Sequence, residues 1–196
     1  VRRLREDYPE LNILVTTTTP TGSAMVKQML GDSVAHCYFP YDLNGAMRRF
    51  ANSVRPRLGL VMETEIWPEM ISAIKSVGTY LMYTNVRLSE HSYKSYARFN
   101  ELIAHTLEQV DFFAAQGKAD ALHLELLGVD PLKIAMTGSI KFDVQIPASL
   151  HEMAEVTRRQ LGSDRLIWIS GSTRDGEEGR ILEAYKALKS EFPHLL

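Results

Sequence analysis

Short apolar runs separated by amphipathic stretches recur along this chain, and that alternation limits the possible folds more than any other feature. The runs are 12–17, 34–39, 58–63, 79–83, 112–115, 133–137 and 166–170. Most are continuously apolar instead of alternating, the pattern of strands covered on both faces. Between them, 22–30, 44–54, 69–77, 91–107, 119–127, 150–161 and 177–192 carry helical periodicity. Tyr96, Phe99, Ile103 and Leu107 share one apolar face of the longest stretch. Strand and helix in strict succession predict an α/β architecture with a doubly wound parallel sheet. Gly31, Gly78, Gly128 and Gly162 stand where helices should close, Asp42 and Ser89 where helices should be capped, and Pro68 in a first turn.

Composition narrows the class further. With 45% hydrophobic residues the chain is neither disordered nor low-complexity. A net charge of -2 gives no bulk electrostatic case for nucleic acid, so no nucleic-acid partner is expected. The lone Cys37 excludes an internal disulfide and reads as a small core residue. The histidines show no paired ligand spacing, so no metal site is expected. No apolar run reaches the roughly 20 residues that span a bilayer. Residues 1–9 read as the tail of a charged helix and 192–196 break off in an apolar run, so we expect an internal piece of a longer protein. The expected division is a first Rossmann-like domain over 1–143, a connector over 144–163, and the opening βα unit of a second domain over 164–196.

Ligands of open parallel sheets bind beyond the carboxyl ends of the strands. Those junctions are polar here. Thr16–Ser23 opens a helix whose free N–H groups can hold an anion through Thr18, Thr19 and Gly22, although the same residues serve as a cap. Glu63 and Glu65 end a buried run. In a desolvated crevice one of them can act as acid or base; otherwise Glu65 complements the following helix N-terminus. Asn85, Arg87 and Ser89 suit an anionic or hydroxylated ligand, or Arg87 braces Glu63 or Glu65. Ser172, Thr173 and Arg174, behind Gly171, suit a phosphate at a helix N-terminus, where Glu177 and Glu178 are ordinary first-turn residues. Arg48, Arg49, Arg55 and Arg57 form a local basic cluster, either a solvated face or an anion-binding one.

Taken in order, YPELNILVTTTTPTGS, YFPYD, METEIWPEMI, NVRLSEHSYKSY, MTGSIKFD and WISGSTRDGEE resemble the Kdo (3-deoxy-D-manno-octulosonic acid) transferases of lipopolysaccharide synthesis. The matching stretches run from Tyr8 to about the end of the chain. Val86 stands where that family commonly has Ala, and Arg174 where it has His. The resemblance implies a GT-B glycosyltransferase, with two Rossmann-like domains facing a cleft. The first binds mainly acceptor; the second binds nucleotide sugar. It further implies inverting, metal-independent transfer of Kdo from CMP-Kdo to a lipid A precursor, with no cofactor. The setting would be the cytoplasmic face of the inner membrane, with an N-terminal membrane anchor. Two essentials of that family would lie outside these residues: the general-base glutamate of a VSxGE-type motif upstream and the PRHPER-type nucleotide loop downstream. Glu63 is then a supporting acidic residue, and Arg174 would face the interdomain cleft. Another GT-B nucleotide-sugar enzyme, or a non-catalytic Rossmann-like ligand-binding module, remains an alternative on the residues alone.

Overall fold

The computed structural model describes residues 1–143 and 146–196. They divide into two compact units, Val1–Phe142 and Asp143–Leu196. The first unit runs α1 (Arg2–Asp7), β1 (Leu14–Thr17), α2 (Pro20–Leu30), β2 (Ala35–Tyr38), α3 (Asn44–Val54), β3 (Leu58–Met62), α4 (Pro68–Ser76), β4 (Tyr80–Val86), α5 (Glu90–Tyr96), α6 (Asn100–Glu108), β5 (Phe112–Ala115), α7 (Lys118–Leu126) and β6 (Ile134–Met136). The second holds α8 (Ala148–Leu161) and α9 (Glu177–Glu191). Every strand pairing is parallel. The strands form a two-stranded sheet, β1-β2, and a four-stranded sheet in the order β3-β4-β5-β6. Each strand therefore points its carboxyl end the same way as its neighbours.

The core lies in the first unit, around β4 and β5. Tyr83 and Phe113 stack with ring centroids 5.5 Å apart. Ile71 of α4, Leu107 of α6 and Leu124 of α7 are fully buried against them. Each such side chain contributes about 1.5–3 kcal/mol relative to exposure.

Helix ends explain several boundaries. Pro68 opens α4, where its missing N–H costs nothing. Ser89 caps α5, its Oγ accepting from the Ser92 amide at 3.1 Å. Gly31, Gly78, Gly128 and Gly162 all take positive φ, as expected of helix-closing glycines. Asp42 differs from expectation. It leaves α3 without a side-chain cap and instead accepts from the amides of Met70 (2.7 Å) and Glu69 (3.3 Å). α4 needs that distant carboxylate because its own N-cap, Trp67, offers no acceptor.

Three further expectations are revised. The helix expected over 91–107 is broken by a 3-10 turn at Ala97–Phe99. Tyr93 of α5 stacks on His123 of α7, and Ile103 and Leu107 of α6 are buried in the core; Phe99, within the break, is left exposed. Residues 166–170 form no strand. Among the described residues their ladder-like contacts are Trp168 N–H to Leu196 O and Leu196 N–H to Leu166 O, too few for a strand. Finally, β3 is covered on one face only: Leu58, Leu60 and Met62 stay about half exposed. Of the expected connector, residues 144 and 145 lie outside the described residues, and most of the remainder is α8 of the second unit. Cys37 is half-buried, and burial raises its thiol pKa. No helix among the described residues is long and apolar enough to cross a membrane.

Candidate functional site

The carboxyl edge of the four-stranded sheet gathers Glu63, Asn85, Arg87 and Ser89. β3 and β4 run in register, with Met62 opposite Thr84, and the ladder continues as the Glu63 amide donates to the Thr84 carbonyl at 2.9 Å. The chain then turns sharply. Glu63 takes φ +63°, a left-handed conformation that costs a residue with a Cβ about 1–2 kcal/mol. Its carboxylate stays exposed, as does that of Glu65. The Thr64 hydroxyl donates to the Arg87 carbonyl at 2.5 Å and ties the two junctions together.

Glu65 is engaged in a different way from Glu63. The Trp67 indole donates to its carboxylate at 2.7 Å, and the buried Tyr83 hydroxyl donates to its backbone oxygen at 2.7 Å. Burial pushes the Tyr83 hydroxyl pKa far up, helped by the negative charge of Glu65, and Tyr96 is raised for the same two reasons.

Asn85 also adopts a left-handed conformation, φ +56°, which Asn tolerates well. It is buried, and its bonds run to protein. Its Oδ1 accepts from the Ile140 amide at 3.1 Å, and its carbonyl accepts from Gln116 Nε2 at 3.0 Å. Asn85 thus pins the segment after β6 to the edge of β4. Arg87 is exposed, and its guanidinium makes no ion pair among the described residues, with Glu63 and Glu65 included. The bracing role is absent, leaving the cation available for an anionic ligand.

Thr18, Thr19 and Gly22 follow β1, on the separate two-stranded sheet. Thr19 caps α2, its Oγ1 accepting from the Gly22 amide at 3.1 Å, so that N–H is already taken. A Cβ on Gly22 would stand 3.1 Å from Thr19 Oγ1 and 3.2 Å from Thr17 Cβ, so close approach of helix to strand requires the glycine. No hydrogen bond joins this group to Glu63 or Arg87 among the described residues.

In the second unit Ser172 takes φ +56°. Ser172, Thr173 and Arg174 lie in an exposed turn ahead of α9, whose N-cap is Gly176, so the triplet precedes the helix instead of opening it. The Arg174 amide donates to Glu177 at 3.0 Å. The fully exposed Glu178 carboxyl is held below its ordinary range by its own backbone amide and the Thr173 hydroxyl. Arg48, Arg49, Arg55 and Arg57 are exposed. Among the described residues no group of three or more His, Cys, Asp or Glu could hold a metal ion. The roles of Thr64 and Gln116 escaped the sequence reading; Gln116 falls in the polar junction after β5, which was the one available signal.

The profile of a family described as 3-Deoxy-D-manno-octulosonic-acid transferase (kdotransferase) matches residues 1–144. The chain belongs to the Kdo transferase family. Over all 196 residues it is 39% identical to a 3-deoxy-D-manno-octulosonic acid transferase of Haemophilus influenzae, covering 46% of that protein. Over 185 residues it is 31% identical to the Bordetella pertussis enzyme of the same name, covering 92% of this chain and 42% of that one. The chain therefore spans about half the length of the curated relatives it matches. A Listeria monocytogenes crystal structure described as a UDP-N-acetylglucosamine 2-epimerase superposes over 97% of this chain and 55% of its own, with a TM-score of 0.50 at 16% identity. Parallel sheets and that likeness identify the fold as α/β, Rossmann-like and of GT-B type.

Proposed function

We propose that this Kdo transferase family member moves Kdo from CMP-Kdo to a lipid A precursor, with inversion and without metal or cofactor. The observation that carries the reading is the 39% identity over the whole chain to a named Kdo transferase. In the proposed step an acceptor sugar hydroxyl attacks the anomeric carbon of Kdo. The bond from that carbon to the CMP phosphate oxygen breaks, CMP departs with the electron pair, and a general base takes the hydroxyl proton. Single displacement inverts the anomeric centre. The base would come from polypeptide outside residues 1–196, with Glu63 beside it as a supporting carboxylate. Arg87 would pair with an anionic group of the substrate, and Ser89, Thr18, Thr19 and Gly22 would line the acceptor side. Ser172, Thr173 and Arg174 would contact the donor phosphate or carboxylate, where positive groups stabilise the departing CMP. The place of action would be the cytoplasmic face of the inner membrane, reached through the lipid acceptor and an N-terminal anchor.

The test is a transfer assay on the full-length gene product with CMP-Kdo and a lipid A precursor, with and without a chelator. We expect a Kdo-sized mass increase of the lipid, unchanged by the chelator, with NMR showing the inverted anomeric linkage. No transfer from CMP-Kdo, with transfer from a UDP-sugar, would shift the reading to another GT-B nucleotide-sugar enzyme. Ligand binding without turnover of either donor would leave a binding module. Residues 1–196 alone should be inactive, because positioning of base, acceptor and nucleotide together accounts for roughly 7–11 kcal/mol of barrier lowering. Transfer by that chain alone would make Glu63 the leading candidate for the base.

A further inference from the structure

Leu88, between the two exposed side chains Arg87 and Ser89, is held at three points. Its own side chain is 1% exposed in the core. Its amide donates to Asp120 Oδ1 at 2.8 Å, and its carbonyl oxygen lies 2.6 Å from His123 Nδ1. Asp120 and His123 stand three residues apart on α7, on one face of that helix. The His123 ring is held in turn. It stacks on Tyr93 with centroids 5.0 Å apart and planes 6° from parallel, and its Nε2 lies 3.0 Å from Glu90 Oε2. Glu90 also pairs with Lys94 at 3.0 Å.

The two ring nitrogens thus face a carbonyl and a carboxylate, and both of these only accept. Lys94, then His123, hold the Glu90 carboxyl below its ordinary range, so it stays an acceptor. A neutral imidazole carries one N–H and can satisfy one of these partners. The doubly protonated ring satisfies both.

We propose that Asp120 and His123 are positioning residues for the substrate-binding segment Arg87–Ser89, and that the Nδ1–H of His123 fixes the Leu88 carbonyl and through it the aim of the Arg87 guanidinium. This rests on the reading of Arg87 as a contact for an anionic substrate group. Without that donor the Leu88 carbonyl is released, the segment loosens, and binding at Arg87 weakens.

Two readouts on the full-length protein test it. In transfer assays, His123→Ala should raise KM for the lipid A precursor by up to about tenfold, the loss expected for one hydrogen bond. His123→Asn places an amide donor near the position of Nδ1. It should restore KM. If His123 acts through Arg87, the double variant R87A/H123A should cost no more than Arg87→Ala alone. Independently of any substrate, hydrogen exchange of the peptide spanning Leu88 and Ser89 should quicken in His123→Ala and recover in His123→Asn. Additive effects of Arg87→Ala and His123→Ala, or unchanged exchange in His123→Ala, would overturn the proposal. Absence of transfer in the wild-type protein would remove the functional reading and with it the role of Arg87, while the exchange measurement would still decide whether His123 holds the segment.

Discussion

Replacing Asp111 with alanine should destabilise the first unit by about 2–3 kcal/mol. Its Oδ2 accepts from Lys75 Nζ at 2.5 Å and from the Leu81 amide at 2.6 Å, joining α4, β4 and the start of β5. Leu81 is 1% exposed, so truncation strands a buried N–H, at about 1–3 kcal/mol. The ion pair adds less. Lys75 is 24% and Asp111 28% exposed, and Lys75 keeps the Thr79 carbonyl at 3.0 Å, so solvent screening limits the charge contribution to below about 1 kcal/mol. In a chain of this size that sum corresponds to a melting shift of about 4–12 °C. Asp111→Asn keeps an acceptor for Leu81 and should lose only the charge contribution. Burial pushes the Asp111 carboxyl up, but Lys75, the Leu81 amide and Lys133 outweigh it and hold it below the ordinary range. A depressed folded-state pKa means that this stabilisation is complete above the unfolded value of about 3.9 and is lost as pH falls through the lower folded value. The wild-type advantage over Asp111→Asn should therefore shrink only in acid, below about pH 4. Urea unfolding of a Trp168→Phe background, in which Trp67 reports on the first unit, measures both effects. An Asp111→Ala variant within about 0.5 kcal/mol of its parent would refute the reasoning.

Other substitutions should behave as follows. Glu63→Gly relieves the left-handed strain and should stabilise the fold by about 0.5–1 kcal/mol while lowering transfer by the full-length protein; a melting temperature at or below wild type would contradict this. Gly22→Ala pushes a Cβ onto Thr17 and Thr19 and should cost about 1–2 kcal/mol in urea denaturation despite alanine's higher helix propensity. β1 and β3 each carry one unpaired edge among the described residues, and the exposed face of β3 is apolar, so residues 1–196 should self-associate as concentration rises. Sedimentation should show that Leu60→Lys reduces the association; a monomer at every concentration would remove the argument.

Much of this architecture was legible because strand and helix periods differ. The runs that became β1 to β6 are short and apolar, and the parallel pairing followed from their lack of alternation. The limits were non-local. Residues 166–170 have the composition of a strand, but a strand is defined by its neighbours, and among the described residues these find Leu196 alone. The break at Ala97–Phe99 holds no glycine or proline, so no local signal announces it. Junction polarity located Glu63, Arg87 and Ser89 correctly at the carboxyl edge. It was silent on His123, because its partner Leu88 is 35 residues away and the histidine sits inconspicuously on an amphipathic helix. For Thr19 both readings of the sequence were reasonable, and the structure shows the cap.

The long-range cap of α4 has a kinetic consequence. α5 carries its own cap in Ser89, so its first turn can form from local residues alone. The first turn of α4 cannot, since the amides of Glu69 and Met70 wait for a carboxylate 27 and 28 residues earlier in the chain. That contact closes a long loop, and its entropy must be met before any hydrogen bond returns it. The Asp42 cap should therefore be absent from the folding transition state. Asp42→Ala should speed unfolding and leave the refolding rate nearly unchanged, whereas Ser89→Ala should slow refolding if α5 belongs to the nucleus. The order in which these two helices become secure is then written in where their caps come from.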